Sequence, residues 1–173
     1  MVRIRVARLA DARDFAGVQI AAWRAAYAGI LPDDVLRGLD VDERSGRWAA
    51  ALVEPEPPGP VRHLVAERRG RVVGIGEVGA PRVAVPDGTG ELRMINVHPD
   101  WWGRGVAKPL FECLVAELAG LGYRSGYLWV VDGNDRARRF YERLGWRPDG
   151  TVRPDPRFSP PVPELRYVTD VLP

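Results

Sequence analysis

A chain of 173 residues with 46% hydrophobic content is large enough for one full core and too apolar for a disordered segment. Its 25 basic and 23 acidic residues nearly cancel and are spread along the chain, which argues against a nucleic-acid binder. The single cysteine, Cys113, excludes an internal disulfide and a multi-cysteine metal site, and His63 and His98 make no metal cluster, so no metal is expected. Neither a signal peptide nor an apolar stretch of membrane length is visible, so the expectation is one cytoplasmic domain over residues 1–173 with no membrane partner.

Residues 2–6 alternate and predict a first strand. Asp11 or Asp14 then opens a helix with Phe15, Val18, Ala22 and Ala26 on its apolar stripe, and Trp23 and Tyr27, four apart, share a face. Gly29-Ile30-Leu31-Pro32 breaks this helix, and two more helical stretches follow, one from Asp33 or Asp34, the other through Trp48 to Leu52. Residues 54–60 are proline-dense and read as a loop, residues 62–68 and 71–78 as a hairpin around Arg69-Gly70, and residues 80–90 as a longer loop.

Residues 91–97 have strand length, and His98-Pro99-Asp100 stops them, because proline donates no N–H and biases its predecessor away from helix. Gly103, Gly105 and Ala107 alternate, and from Leu110 to Leu121 apolar residues recur at helical spacing, with Gly122 placed to cap the end. Small residues between a strand and a helix start let bare N–H groups converge where the helix dipole is positive, an anion site suited to phosphate. A P-loop is excluded, since Lys108 is followed by Pro109, and the spacing does not fit a Rossmann fingerprint. A tight turn that binds nothing remains the alternative at this point.

Residues 123–131 read as a strand with Tyr127, Trp129 and Val131 on one face. Asn134 is placed to cap a helix carrying Ala137, Phe140, Tyr141 and Leu144, and Gly145 to end it. Trp146-Arg147-Pro148 starts a sixth strand, residues 149–163 read as a surface loop, and residues 164–171 alternate as a last strand. The layout is α+β, a mixed, mostly antiparallel sheet of about seven strands flanked by helices.

Glu91-Leu92, Val97-His98-Pro99, the run Gly103-Arg104-Gly105-Val106-Ala107, and Asn134 with Ala137, Phe140, Tyr141 and Gly145-Trp146 together resemble the GCN5-related N-acetyltransferase (GNAT) superfamily. The entry Trp23, Tyr27, Gly29-Ile30-Leu31-Pro32 is similar to one of its subgroups. The resemblance implies acetyl-CoA as acyl donor, its pyrophosphate held by the backbone of Gly103, Arg104, Gly105, Val106, Ala107 and Lys108. It implies the pantetheine arm along Ile95, Asn96 and Val97, with a backbone N–H near Val97 facing the thioester carbonyl, and a contact from Asn134. Tyr141 matches the tyrosine that protonates the departing thiolate and touches the coenzyme, and Glu91 matches a general base. Trp102 departs from the Gln or Arg that many members carry at the loop's first position.

The implied activity is direct acetyl transfer to a small amine or a peptide N-terminus, and a homodimer is compatible with it. The competing classes are a non-catalytic acyl-CoA sensor module and a basic nucleic-acid binder. Trp23 and Tyr27 are either core or a wall of the acceptor pocket. Asp33, Asp34, Asp40, Asp42 and Glu43 either attract a cationic amine or are solvated helix caps.

Overall fold

The computed structural model describes residues 1–54, 59–155 and 157–173. Seven strands form one sheet in the order β1-β2-β3-β4-β5-β7-β6. The strands are β1 (Arg3–Val6), β2 (Val61–Arg68), β3 (Arg71–Gly79), β4 (Thr89–Val97), β5 (Ser125–Val131), β6 (Arg147–Asp155) and β7 (Val162–Thr169). The helices are α1 (Ala12–Ala26), α2 (Asp33–Arg37), α3 (Val41–Val53), α4 (Ala107–Gly120) and α5 (Asp135–Arg143). All sheet pairings are antiparallel except β4 with β5, so the expected fold class holds. The expected loop over residues 54–60 lies partly on residues 55–58, outside the described residues.

Alternation along β2 and β3 sends side chains to two cores. Leu64 and Ala66 join Leu110, Leu114 and Leu118 of α4 on one face, while Val65 and Ile75 meet Phe15 and Val18 of α1 on the other. Gly76 lets α4 sit close on the sheet, because a Cβ there would collide with Leu114. The β2–β3 turn places Arg69 at φ 53° and Gly70 at φ 73°, the paired left-handed residues of a two-residue hairpin.

One expectation is corrected. Residues 149–155 belong to β6, paired with β7, and are not a surface loop. Its prolines, Pro148 and Pro154, are tolerated because β6 is the sheet's edge and one side of its backbone needs no partner. β4 carries a bulge. The pairing of Met94 with Glu77 and of Leu92 with Val78 leaves Arg93 as an extra residue. This bulge puts Leu92, Ile95 and Val97 together against the α4 core, and Glu91 leaves the face of Ile95 and Val97 on which a regular strand would hold it.

Candidate active site

The β4–β5 ladder covers only Thr89–Ser125, Gly90–Gly126 and Glu91–Tyr127. Beyond it the two strands separate, and a cleft opens between them. His98 N–H donates to Val73 O at 2.9 Å. Adjacent strand residues point their N–H groups to opposite sides, so that of Val97 points away from β3 into the cleft. Val97 O on the same side accepts from Trp102 Nε1 at 2.7 Å, which pins the glycine loop to the end of β4.

Gly103 and Gly105 sit at φ 69° and 73°, and a Cβ at either would meet nothing within 4 Å. Glycine is required there by backbone conformation and not by packing. Val106 at the start of α4 provides no side-chain cap. The N–H groups of Gly103, Gly105 and Val106 donate to no acceptor among the described residues. Four unspent donors are normal at a helix start, and this one adds loop donors beside them.

This end of the cleft is a cavity of about 460 Å³. Its charged lining is Lys108, Arg136, Arg139 and Arg143, with no carboxylate among them. Arg136 stacks 4.2 Å over the Trp102 ring, so the residue replacing the usual polar group carries a guanidinium to the loop. Converging N–H groups, open glycines and an all-cationic lining fit a polyphosphate coenzyme. Of the expected coenzyme contacts, Ile95, Asn96, Val97, Gly103, Gly105, Val106, Ala107, Lys108, Asn134 and Tyr141 line this cavity. Arg104 does not; its side chain lies 5.8 Å from the Trp101 ring centre.

Asn134 caps α5, accepting from Ala137 N–H at 3.2 Å. That helix buries Tyr141, whose ring centre lies 5.5 Å from that of Phe140 and 6.1 Å from that of Phe111. Burial pushes the Tyr141 phenol above its ordinary value, so it keeps its proton. Tyr141, Asn96 and Asn134 line both this cavity and a second one of about 400 Å³.

The second cavity holds Glu91, walled by Trp23, Tyr27 and Trp129. Trp23 and Tyr27 meet edge to face at 5.5 Å. Burial raises the Tyr27 phenol to about 12. Glu91 is 1% exposed and accepts from Arg82 Nη2 at 2.7 Å, Arg82 Nε at 3.0 Å and the Arg82 backbone N–H at 3.1 Å. Glu77 bonds Arg93 Nη1 at 3.2 Å and lies 3.5 Å from His63 Nε2. Burial pushes the Glu77 carboxyl up, but the His63 and Arg93 partners outweigh it and hold the group below the usual range.

Sequence reasoning missed Glu77, Arg82, Trp129, Arg153, Asp155, Arg157 and Glu164, all of which line this cavity. Only Glu77 carried a signal, as the one charge in the apolar and glycine-rich run that follows Arg71 in β3. The acidic residues 33–43 are exposed and none lines it; Asp40 caps α3 by accepting from Glu43 N–H at 2.8 Å. Among the described residues no group of three or more metal-capable side chains exists, and no helix is long and apolar enough to cross a membrane.

Residues 23–146 match the Acetyltransferase (GNAT) family. The uncharacterized N-acetyltransferase YuaI of Bacillus subtilis is 27% identical over 134 residues, 78% of this chain and 74% of that one. A mycothiol acetyltransferase of Streptomyces coelicolor is 30% identical over 135 residues, 75% of this chain but 40% of that protein. The PaiA N-acetyltransferase of Thermoplasma acidophilum, solved in complex with coenzyme A, shares the fold at a TM-score of 0.75 and 15% identity, over 98% of this chain and 99% of that one. The family match spans well over half of the sequence, and the chain belongs to the GNAT acetyltransferase family.

Proposed function

We propose that this protein transfers an acetyl group from acetyl-CoA to a primary amine by direct attack. The observation that carries the proposal is the adjacency of the two cavities: a cationic, carboxylate-free cleft and a polar chamber share Tyr141 and Asn96 in their linings. The amine lone pair forms the new C–N bond, the C–S bond breaks, and the electron pair goes to sulfur. Tyr141 supplies the thiolate's proton, and a carboxylate takes the proton the amine loses. The Val97 N–H faces the oxygen on which charge develops. Relatives named as N-acetyltransferases, and a structural neighbour with coenzyme A, support the donor. Among the described residues no Ser-His-Asp or Cys-His arrangement suggests an acyl-enzyme, and the setting we expect is the cytoplasm.

Glu91 is the base the resemblance suggests. A specific observation brings in Glu77 as a second candidate: its side chain is 15% exposed against 1% for Glu91, both of whose oxygens accept from Arg82. Replacing each in turn by Gln separates them. The true base variant loses kcat/KM by about 10²- to 10⁴-fold with every amine, and the other stays within a few-fold of the parent.

The test of the function is acetyl-CoA turnover against a panel of amines, with calorimetric coenzyme binding in parallel. Amine-dependent release of free thiol is the expected result. Coenzyme binding without turnover of any amine would favour a sensor module, and a folded protein that ignores the coenzyme would overturn both.

A further inference from the structure

The charged residues of the acceptor cavity are layered, and the layering gives the cavity a direction. Asp155 is completely buried behind Arg157, whose side chain is 51% exposed. Glu164 is 4% exposed behind Arg153, which is 31% exposed. Both guanidiniums use Nε and Nη2 on these carboxylates, and among the described residues neither Nη1 has a partner. What the β6 end presents to the cavity is therefore cationic, although its formal charges cancel. The Glu77–Arg93 pair is layered the other way, with Glu77 15% exposed and Arg93 5%.

Two polar atoms in the same cavity lack partners. Trp129 Nε1 is sealed from solvent and donates to nothing among the described residues, while Arg153 stacks 4.0 Å over its ring. Asn96 Oδ1, on a residue that lines both cavities, accepts from nothing among the described residues. A buried orphan donor in a native protein calls for an explanation, and a bound acceptor group is one. The orphan donor and the spare guanidinium N–H groups together describe a seat for negatively charged oxygen. The orphan acceptor and Glu77 describe a seat for an ammonium or amine.

We propose that the acceptor is a small amine that also carries an oxyanion, a carboxylate or a phosphate, seated at Trp129, Arg153 and Arg157 with its amine toward Glu77 and Asn96. This rests on the acetyltransferase reading and narrows its substrate class. A polyamine would bring a second cation against the guanidinium layer. A peptide N-terminus would offer a neutral amide carbonyl where a free amino acid offers its α-carboxylate.

The test uses matched acceptors with the full chain and acetyl-CoA: an α-amino acid, its carboxamide, the corresponding amine without the carboxylate, and an aminoalkyl phosphate. The oxyanion carriers are expected to show kcat/KM at least about tenfold above their neutral counterparts, the size of one charge-assisted hydrogen bond. The carboxylate and phosphate arms tell the two sources apart. Trp129→Phe, which keeps the ring and removes the N–H, should cost the oxyanion carriers about tenfold more than it costs the neutral amines. Arg153→Gln should act in the same direction. Equal use of acid and decarboxylated amine overturns the proposal, as does a Trp129→Phe effect shared by all acceptors. If coenzyme binds but no amine is acetylated, the transferase reading fails by itself, and calorimetry of the amino acids on coenzyme-loaded protein then decides: binding weakened by Trp129→Phe supports the seat, and no heat with any of them overturns it.

Discussion

The two cavities that meet at Tyr141 are built in opposite ways. The coenzyme cleft comes mainly from consecutive residues of one loop and two helix starts, and its charged lining is entirely basic. The acceptor cavity draws on α1, β3, β4, β5, β6 and β7 and carries four carboxylates and four guanidiniums, Glu77, Glu91, Asp155 and Glu164 against Arg82, Arg93, Arg153 and Arg157. Backbone N–H groups at a helix start recognise phosphate whatever the surrounding sequence, so the first site tolerates variation around a few small residues. Paired side chains recognise a particular arrangement of charges, and one changed partner alters the recognised molecule.

The sharpest way to break this comparison is at Gly105. Gly105→Asp puts a carboxylate where the donors converge and forces φ 73° on a residue with a Cβ. Coenzyme affinity should fall by at least about a hundredfold, the combined effect of charge repulsion and backbone strain of about 1–3 kcal/mol. Gly105→Ala keeps only the strain and should lose far less. Calorimetry on folded variants reads the difference, and an Asp variant that binds acetyl-CoA like the parent would remove the loop from the site.

Tyr141→Phe probes the junction between the cavities. It keeps the ring packed on Phe111 and Phe140 and removes the proton donor. Coenzyme affinity and melting temperature should hold while kcat drops by about ten- to a thousandfold. An unchanged kcat would make Tyr141 a packing residue.

Acid should separate the two ends. Burial raises the Asp155 carboxyl, but its bonds to Arg157 outweigh this and hold it below the usual range, as His63 and Arg93 do for Glu77. A carboxyl depressed in the folded state contributes stability above its unfolded pKa and loses it as pH falls through the folded value. Burial and the Asp155 charge push Glu164 the other way, so acid relieves part of its cost. The net expectation is a melting temperature that falls below the ordinary carboxylate range, less steeply in Glu77→Gln than in the parent. Parallel curves for the two proteins would mean Glu77 adds nothing to acid sensitivity.

The coenzyme end was legible in the sequence because its geometry is local. The spacing of Gly103, Gly105 and Ala107, the cap at Asn134 and the stop at Gly145 each lie within a few residues of what they act on. The acceptor end was not legible because it depends on register. Glu91 leaves the face of Ile95 and Val97 only through the bulge at Arg93, and Glu164 meets Arg153 only because a proline-bearing edge strand runs through residues that read as a loop. Nothing in the local pattern around Arg82 shows that it will cover Glu91 nine residues away. Composition fixed neither pairing, and long-range ladders decided both.

The smallest effect is expected at Asn134, where the two kinds of recognition overlap. Its side chain caps α5 through Ala137 N–H and also lines both cavities. Removing an N-cap costs about 1 kcal/mol, so Asn134→Ala should lower the denaturant midpoint modestly. Asn134→Asp restores a capping oxygen and places negative charge at the helix start, where the dipole favours it, so its stability should return to the parent's. The two variants share only the loss of the side-chain amide N–H₂. If the acetyl-CoA KM rises in both, that amide donates to the coenzyme arm and the residue serves recognition as well as folding. If KM rises in the alanine variant alone, and in proportion to the lost stability, the cap is its whole contribution.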